Sequence, residues 1–508
     1  METPHTPAAG TRDVIPLSPE ALAAAAAGLL DDGYRLGLVS ATHRGPDDPR
    51  GQAMHVAYLF LASGPASRVE LLVELDPAKP EIPSIAQHSF TASRFEREMR
   101  DQFGITPVGH PSPRPLVRHP AWPADHHPLR ADAAAAPTMT ADPEPFPFLT
   151  VEGPGVYEIP VGPVHAGLIE PGHFRFSVVG ESILKLKARL WYVHKGIEKL
   201  FHGRRPQDGI ALAERVSGDT AVGHALAYTR AVEDALGITV TAETEAIRTL
   251  LLELERLYNH VTDLGALCND VGHGILNAHA GRLREQLLRI NAETTGHRLL
   301  RGGIHLGGAR LRALPDPNRL RELAAEVAQL AELALSHSVV RDRFTGTAIL
   351  TRKQAEDLGT LGYVARASGV ETDARRDHPA HPDLPVPPAV VHETGDVLAR
   401  FQQRAAEYEA STAYIEALLA AILTPETPAA RAETGGQPRS GAGIAECWRG
   451  AVVHRAEIAP DGRLDRVKIV DPSFFNWPAL PVALTGAIVP DFPLANKSFN
   501  LSYAGNDL

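Results

Sequence analysis

Residues 241–270 constrain this chain more than any other segment. Ile247, Leu250, Leu251, Leu254, Leu257, Tyr258, Val261, Leu264 and Leu267 recur at three- and four-residue steps. Apolar side chains at that spacing line one face of an α-helix. Such a helix is on the order of 40 Å long at about 1.5 Å per residue. Burying its stripe requires partner helices. Helical patterns over residues 182–201, 207–236, 278–300, 317–337 and 395–423 supply them. The spacing therefore predicts a long-helix bundle with irregular ends. Two Pro-rich insertions, residues 378–388 and 424–440, read as surface loops, and residues 451–470 as strand–turn–strand around Asp461-Gly462.

The N-terminal part has a different texture. Ser18-Pro19-Glu20 is a strong helix start, with an N-cap serine, a proline at the first position and an acid in the first turn. Gly33 ends that helix. Strand-like runs follow at residues 34–42, 55–62 and 68–76, then a charged helix over residues 93–101 ended by Gly104. Residues 14–130 thus read as a small α+β domain. Residues 131–149, rich in Ala and Pro, read as a linker, and residues 150–508 as the helical domain.

Composition narrows the function. At 508 residues the chain is long enough for two or three domains. A net charge of −11 argues against a nucleic-acid-binding surface. No run reaches the roughly 18 apolar residues of a membrane helix, and residues 1–13 lack the order of a signal peptide. Only Cys268 and Cys447 are present, too few for a Cys-based zinc or iron–sulfur site within the chain. His260, His273 and His279, with His224 on an adjacent helix, lack the His-x3-His spacing of a helical zinc site, so no metal site is assigned. Gly302-Gly303 and Gly307-Gly308 fit neither G-x-G-x-x-G nor a P-loop and read as tight turns.

Several motifs carry a family resemblance. Arg94-Phe95-Glu96-Arg97-Glu98-Met99, Phe103-Gly104-Ile105, Gly109-His110-Pro111, Trp122 and Pro128-Leu129-Arg130 resemble the C-type component of NADH–quinone oxidoreductase (complex I). Gly162-Pro163-Val164-His165, Glu170-Pro171-Gly172-His173-Phe174, His194-Lys195-Gly196-Ile197-Glu198-Lys199 and Ala231-Val232-Glu233 resemble the D-type component. They resemble more closely the large subunits of membrane-bound [NiFe]-hydrogenases of the formate hydrogenlyase type. Asp471-Pro472-Ser473-Phe474, Asn476-Trp477-Pro478-Ala479-Leu480 and Val489-Pro490-Asp491-Phe492-Pro493-Leu494 match the same group. The order is that of fused C-type and D-type components. The resemblance implies an α+β domain followed by a mainly α bundle of the hydrogenase large-subunit or complex I D-type kind.

The departures from the family lie where its chemistry does. Arg215-Val216-Ser217-Gly218-Asp219-Thr220-Ala221-Val222-Gly223-His224 resembles the first metal motif of the hydrogenases, with Ser217 and Thr220 in place of cysteines. Asp471-Pro472-Ser473-Phe474-Phe475-Asn476 resembles the second, with Ser473 and Asn476 in place of cysteines. Nickel and iron there require soft thiolates, which hydroxyls and amides do not replace. A nickel–iron centre is therefore not expected. In the D-type component of complex I the same region is a quinone pocket with a tyrosine and a histidine. Here those positions fall on Gly218 and near Ile169, leaving His165 or His173 as substitutes.

The resemblance makes Glu170 the candidate proton-relay acid, a role suited to a buried carboxylate with a raised pKa. The bland alternative is a local cap in a Pro-Gly loop. Asp219 either anchors a polar cavity with Ser217 and Thr220 or pairs with Arg215. The 93–101 helix is a solvated charged face by default, and its counterpart in the family contacts other subunits. The family context further implies a peripheral subunit on the cytoplasmic side of the cell membrane. Its partners would be a small iron–sulfur protein of the complex I B type, together with antiporter-like and H-type membrane proteins. Any NADH chemistry would belong to another subunit. Two mechanisms follow: a cavity at Ser217, Gly218, Asp219 and Glu170 that takes a quinone or similar acceptor, or a redox-inactive coupling subunit whose cavity is plugged, for instance by Phe474, Phe475 or Trp477.

Overall fold

A computed structural model describes residues 12–46, 48–62, 67–135, 137–165, 169–423 and 439–508. The chain forms two units. The first contains the described residues up to Thr150, with Leu190–Tyr192 and Asp507; the second contains the remainder.

In the first unit, β1 (Arg12–Leu17), β2 (Arg35–Arg44), β3 (Ala53–Leu61) and β4 (Arg68–Leu75) form a sheet of order β1-β4-β3-β2. β1 runs parallel to β4 and the other pairs are antiparallel. The sequence patterns anticipate β2 to β4 but not β1, whose exposed Val14 and Ile15 give it no apolar face. Between the turn at Ser18 and β2 lies α1 (Leu22–Asp31), with Gly33 at φ +84° just beyond it. A short parallel pair, β5 (Glu81–Pro83) and β6 (Thr106–Val108), brackets α2 (Phe90–Phe103). Ser89 caps α2, and Gly104 ends it in the left-handed conformation. The charges of α2 are not all solvated. Glu96 and Asp101 are buried, and Asp101 Oδ2 accepts from the backbone N–H groups of Leu116, Val117 and Arg118.

The second unit begins with β7 (Val156–Val161), β8 (His173–Val179) and β9 (Ser182–Arg189), an antiparallel sheet. Residues 182–201 are therefore not one helix. Ile183, Leu186 and Leu190 happen to fall at helical steps, but the segment pairs along its length with β8. The only helix in that range is α3 (Ile197–Phe201). Residues 207–236 likewise divide into α4 (Pro206–Ala213) and α5 (Ala221–Leu236), and the break between them is the Ser217–Thr220 turn. The long helix is present as α6 (Ala242–Asp270). Thr241 caps it by accepting from Thr244 N–H, and Glu243 and Glu245 lie in its first turn.

α7 (Gly274–Thr295) follows, then a small hairpin of β10 (Ile304–His305) and β11 (Gly308–Ala309), the turns anticipated at the paired glycines. Next come α8 (Pro317–Ser336), α9 (Ser338–Phe344), α10 (Arg352–Leu358), α11 (Gly362–Arg366), α12 (Ala374–Asp377) and α13 (Val397–Leu419). Leu250, Leu254, Leu257, Val261 and Leu264 of α6 are fully buried in one core with α5, α7, α8 and α13. Most of the 424–440 insertion lies outside the described residues, but Arg439 and Ser440 already belong to β12 (Arg439–Cys447). β12 pairs with β13 (Gly450–Ile458), and β13 with β14 (Leu464–Val470). The sheet lies against α5 at glycines. A Cβ on Gly441 or Gly443 would sit 2.2 or 2.1 Å from the carbonyl oxygens of Ala231 and Ala227. The chain then runs through α14 (Pro472–Asn476), α15 (Ala479–Ala483), α16 (Phe492–Phe499) and α17 (Tyr503–Asp507). The bundle thus carries a three-stranded sheet near each end of its sequence, more β-structure than a mainly helical reading allows. Among the described residues no helix is long and apolar enough to cross a membrane.

Candidate functional site

The turn that breaks the helix between α4 and α5 is the floor of a cavity of about 740 Å³. Ser217, Gly218 and Asp219 line it from the floor, His165, Ile169 and Glu170 from the loop before β8, and Asn496, Lys497, Asn500, Ser502 and Tyr503 from the end of the chain. Phe174 and Phe492, with ring centroids 5.0 Å apart, form an aromatic wall. Trp477 stands behind Phe174 at 6.1 Å. Trp477, Phe474 and Phe475 are buried, and none of them lines the cavity.

Asp219 pairs with Arg449 rather than Arg215. Arg449 Nη1 and Nη2 each donate to one carboxylate oxygen at 2.7 Å. Ser217 and Thr220 hydroxyls also donate to Asp219, at 3.0 and 3.1 Å. Burial alone would raise the Asp219 carboxyl, but the Arg449 charge and these hydrogen bonds hold it below its usual range. Arg449 is anchored in turn, stacked 3.9 Å over Trp448 and donating to the Asn500 carbonyl at 2.6 Å. Asn500 adopts φ +37°, a left-handed backbone that turns the last segment into the cavity wall. Its Nδ2 donates to Asp263, which Arg404 pairs from the other side.

The four positions read from the sequence as standing in for metal-binding cysteines, Ser217, Thr220, Ser473 and Asn476, are buried and internally bonded. Ser217 Oγ lies 2.8 Å from Ser502 Oγ, and the Ser502 N–H donates to Ser473 Oγ at 2.9 Å. Asn476 faces elsewhere: its amide closes a two-point clip on the backbone of Leu361, at 2.8 and 3.1 Å. The residue facing Ser217 from the end of the chain is therefore Ser502, and Gly505 follows it at the spacing that separates Ser217 from Thr220. Neither Ser473 nor Asn476 lines the cavity. Cys268 and Cys447 are buried outside it, and burial pushes both thiols up, Cys268 to about 12. Hydroxyls and a clipped amide, with no thiolate among them, do not fit a nickel–iron group.

The remaining candidates separate. His165 lines the cavity, with Nε2 bonded to the Gly172 carbonyl at 2.8 Å. His173 does not line it; as the first residue of β8 its ring turns to the Gly162 carbonyl at 3.1 Å. Glu170 lines the cavity but is exposed rather than buried. Its Oε2 accepts from the Ala504 N–H at 3.0 Å. Gly218 leaves open space where a side chain would project. The four histidines close in sequence do not converge. His224 bridges Asp471 at 3.1 Å and His454 at 3.0 Å, His260 meets Glu407 at 3.1 Å, His273 meets the His337 ring edge to face, and His279 lies 3.8 Å from Glu326. Sequence reasoning missed Arg449, Asn500, Ser502 and Tyr503. The Ser502-x-x-Gly505 spacing was the one local signal, and the fold brings these residues to a turn more than 200 residues earlier.

Comparison with known proteins places these features. Residues 15–138 match the family described as respiratory-chain NADH dehydrogenase, 30 Kd subunit. Residues 270–440 match the corresponding 49 Kd subunit, and residues 195–268 match nickel-dependent hydrogenase. The chain is 34% identical to hydrogenase-4 component G of Escherichia coli over 476 residues, 91% of this chain and 82% of the relative. It is 30% identical to the C/D subunit of NADH-quinone oxidoreductase of Phocaeicola vulgatus over 365 residues, 67% of this chain and 70% of the relative. Its fold resembles a chain in the structure of the membrane-bound sulfane sulfur reductase, an archaeal respiratory membrane complex, with a TM-score of 0.62 at 24% identity, covering 70% of this chain and 99% of that one.

Proposed function

We propose a function from one premise: the chain belongs to the family of fused complex I 30 Kd and 49 Kd subunits that includes hydrogenase-4 component G and the C/D subunit of NADH-quinone oxidoreductase. Its relatives are subunits of oxidoreductase complexes, and this chain is a peripheral subunit of such a complex on the cytoplasmic side of the cell membrane. It holds no nickel–iron centre. Electrons arrive through the cluster of a small iron–sulfur protein of the complex I B type, and the acceptor in the cavity is a quinone or a similar small molecule. Antiporter-like and H-type membrane proteins complete the assembly.

One observation carries this reading: the turn aligned with a metal motif opens onto a sizeable cavity, lacks thiolates and faces an aromatic wall. A flat ring fits beside Phe174 and Phe492. Hydroxyl, amide and ammonium donors at Ser502, Asn496 and Lys497 suit the carbonyl oxygens of a quinone. Glu170, at the rim, exchanges protons between solvent and bound acceptor, and exposure is no obstacle to that role. Asp219 fixes the floor through Arg449.

The test is quinone-linked turnover of the purified complex. Glu170→Gln lowers turnover at least tenfold while the complex assembles normally. Wild-type turnover in that variant removes Glu170 from the mechanism, and absence of quinone turnover in the intact complex overturns the reading.

A further inference from the structure

α6 carries four buried carboxylates: Glu245, Glu253, Glu255 and Asp263. Three have arginine partners. Glu245 pairs with Arg230 and Arg248, Glu253 with Arg256 and Arg375, and Asp263 with Arg404. Glu255 differs. It is fully buried, and among the described residues its hydrogen-bond partners are the backbone N–H groups of Val222 at 2.7 Å and Gly223 at 3.0 Å. Those two groups open the first turn of α5, directly after the Ser217–Thr220 cavity turn. The Thr220 side chain does not cap that helix end, and its hydroxyl donates to Asp219. A side chain from another helix thus caps the element that carries the cavity floor.

The charges around Glu255 do not neutralise it. Arg256, its neighbour on α6, is engaged by Glu253 at 3.0 Å and by the carbonyls of Glu446 and Cys447 at 2.6 and 3.1 Å. Glu255 also feels the charge of Asp219 on the turn before α5, and it acts in turn on the Cys447 thiol of β12 and on Tyr258 of its own helix. A carboxyl taken out of water beside a like charge retains its proton, and the titrations of two such groups are linked.

We infer that Glu255 is a buried proton-holding group whose protonation is tied to the charge on the cavity floor at Asp219. Burial first, and then the Asp219 charge, push its carboxyl up to about 8, against the pull of its two N–H donors and of the Arg256 charge. A negative charge arriving in the cavity favours proton uptake at Glu255, and neutralising Asp219 favours release. That this proton responds to reduction of an acceptor rests on the function proposed above; the linkage between the two carboxyls does not.

Infrared titration of the purified complex, following the carbonyl stretch of protonated carboxyl groups, tests it without any acceptor. Wild type should show a carboxyl band titrating in the mildly alkaline range. Glu255→Gln should lose it, and Glu255→Asp, which keeps a buried carboxyl one methylene shorter, should retain a titrating band. Asp219→Asn should move its midpoint down. An unchanged band in Glu255→Gln, or an unmoved midpoint in Asp219→Asn, overturns the inference. Failure of quinone turnover alone would leave these spectra unaffected, so the two readings fail separately.

Discussion

Arg449 and Asp219 meet in a two-point ion pair, both contacts at 2.7 Å, across 230 residues of chain. The pair joins β12–β13 to the turn that precedes α5, and Arg449 also holds Asn500 on the opposite wall. One guanidinium therefore ties together two of the three segments that enclose the cavity.

Arg449→Lys breaks this geometry, since an ammonium cannot make two parallel contacts and a third to a carbonyl. Arg449 is buried while the Asp219 side chain is 39% exposed, so water compensates part of the loss. The expected cost is about 1–3 kcal/mol in denaturant unfolding. Because the Asp219 carboxyl is held below its usual range, the stability it supplies is complete above its unfolded pKa and is lost as pH falls through the folded one. The gap between wild type and Asp219→Asn should therefore narrow in acid.

Glu255 has the opposite sign. Its folded pKa, about 8, lies above the ordinary 4.5, so the native state binds the extra proton between those values. Its contribution to stability therefore declines as pH rises through that window. Thermal unfolding of Glu255→Gln should gain on wild type between pH 6 and 9, by no more than about 1.4 kcal/mol per pH unit. A constant difference across that range contradicts a raised pKa.

Gly443→Ala places a methyl group 2.1 Å from the Ala227 carbonyl and 2.4 Å from the Ala231 amide nitrogen, all backbone and unable to yield cheaply. α5 must then lift from β12. A loss of about 2–4 kcal/mol is expected by calorimetry, with the cavity floor displaced along with the helix.

Gly218→Phe separates cavity from fold. Nothing lies within 4 Å of a Cβ built there, and the backbone needs no left-handed conformation. Stability should stay within about 0.5 kcal/mol of wild type. Binding of a short-chain quinone, measured by calorimetry, should fall at least tenfold because the ring fills the space the acceptor needs.

How much of this was legible depended on range. The α6 stripe could be read because all nine of its apolar markers lie within one helix and are buried together. The Ser182–Arg189 strand could not, because Ile183, Leu186 and Leu190 also satisfy helical spacing and the pairing with β8 is a tertiary fact. The cavity was half visible. Ser217, Gly218, Asp219, His165 and Glu170 line it as a set, whereas His173 turns to a backbone carbonyl. Ser473 and Asn476 had the right local wording, yet Ser502 faces Ser217, because the final approach of the chain depends on donors as distant as Arg404 and Arg449.

The most direct measurement is a structure of the purified complex with a short-chain quinone at saturating concentration. The account predicts the quinone ring beside Phe174 and Phe492, within hydrogen-bond reach of the Ser217–Asp219 turn or of Ser502, and no metal ion at that turn. A metal ion bound by that turn, or a quinone seated elsewhere with this cavity empty, would contradict it.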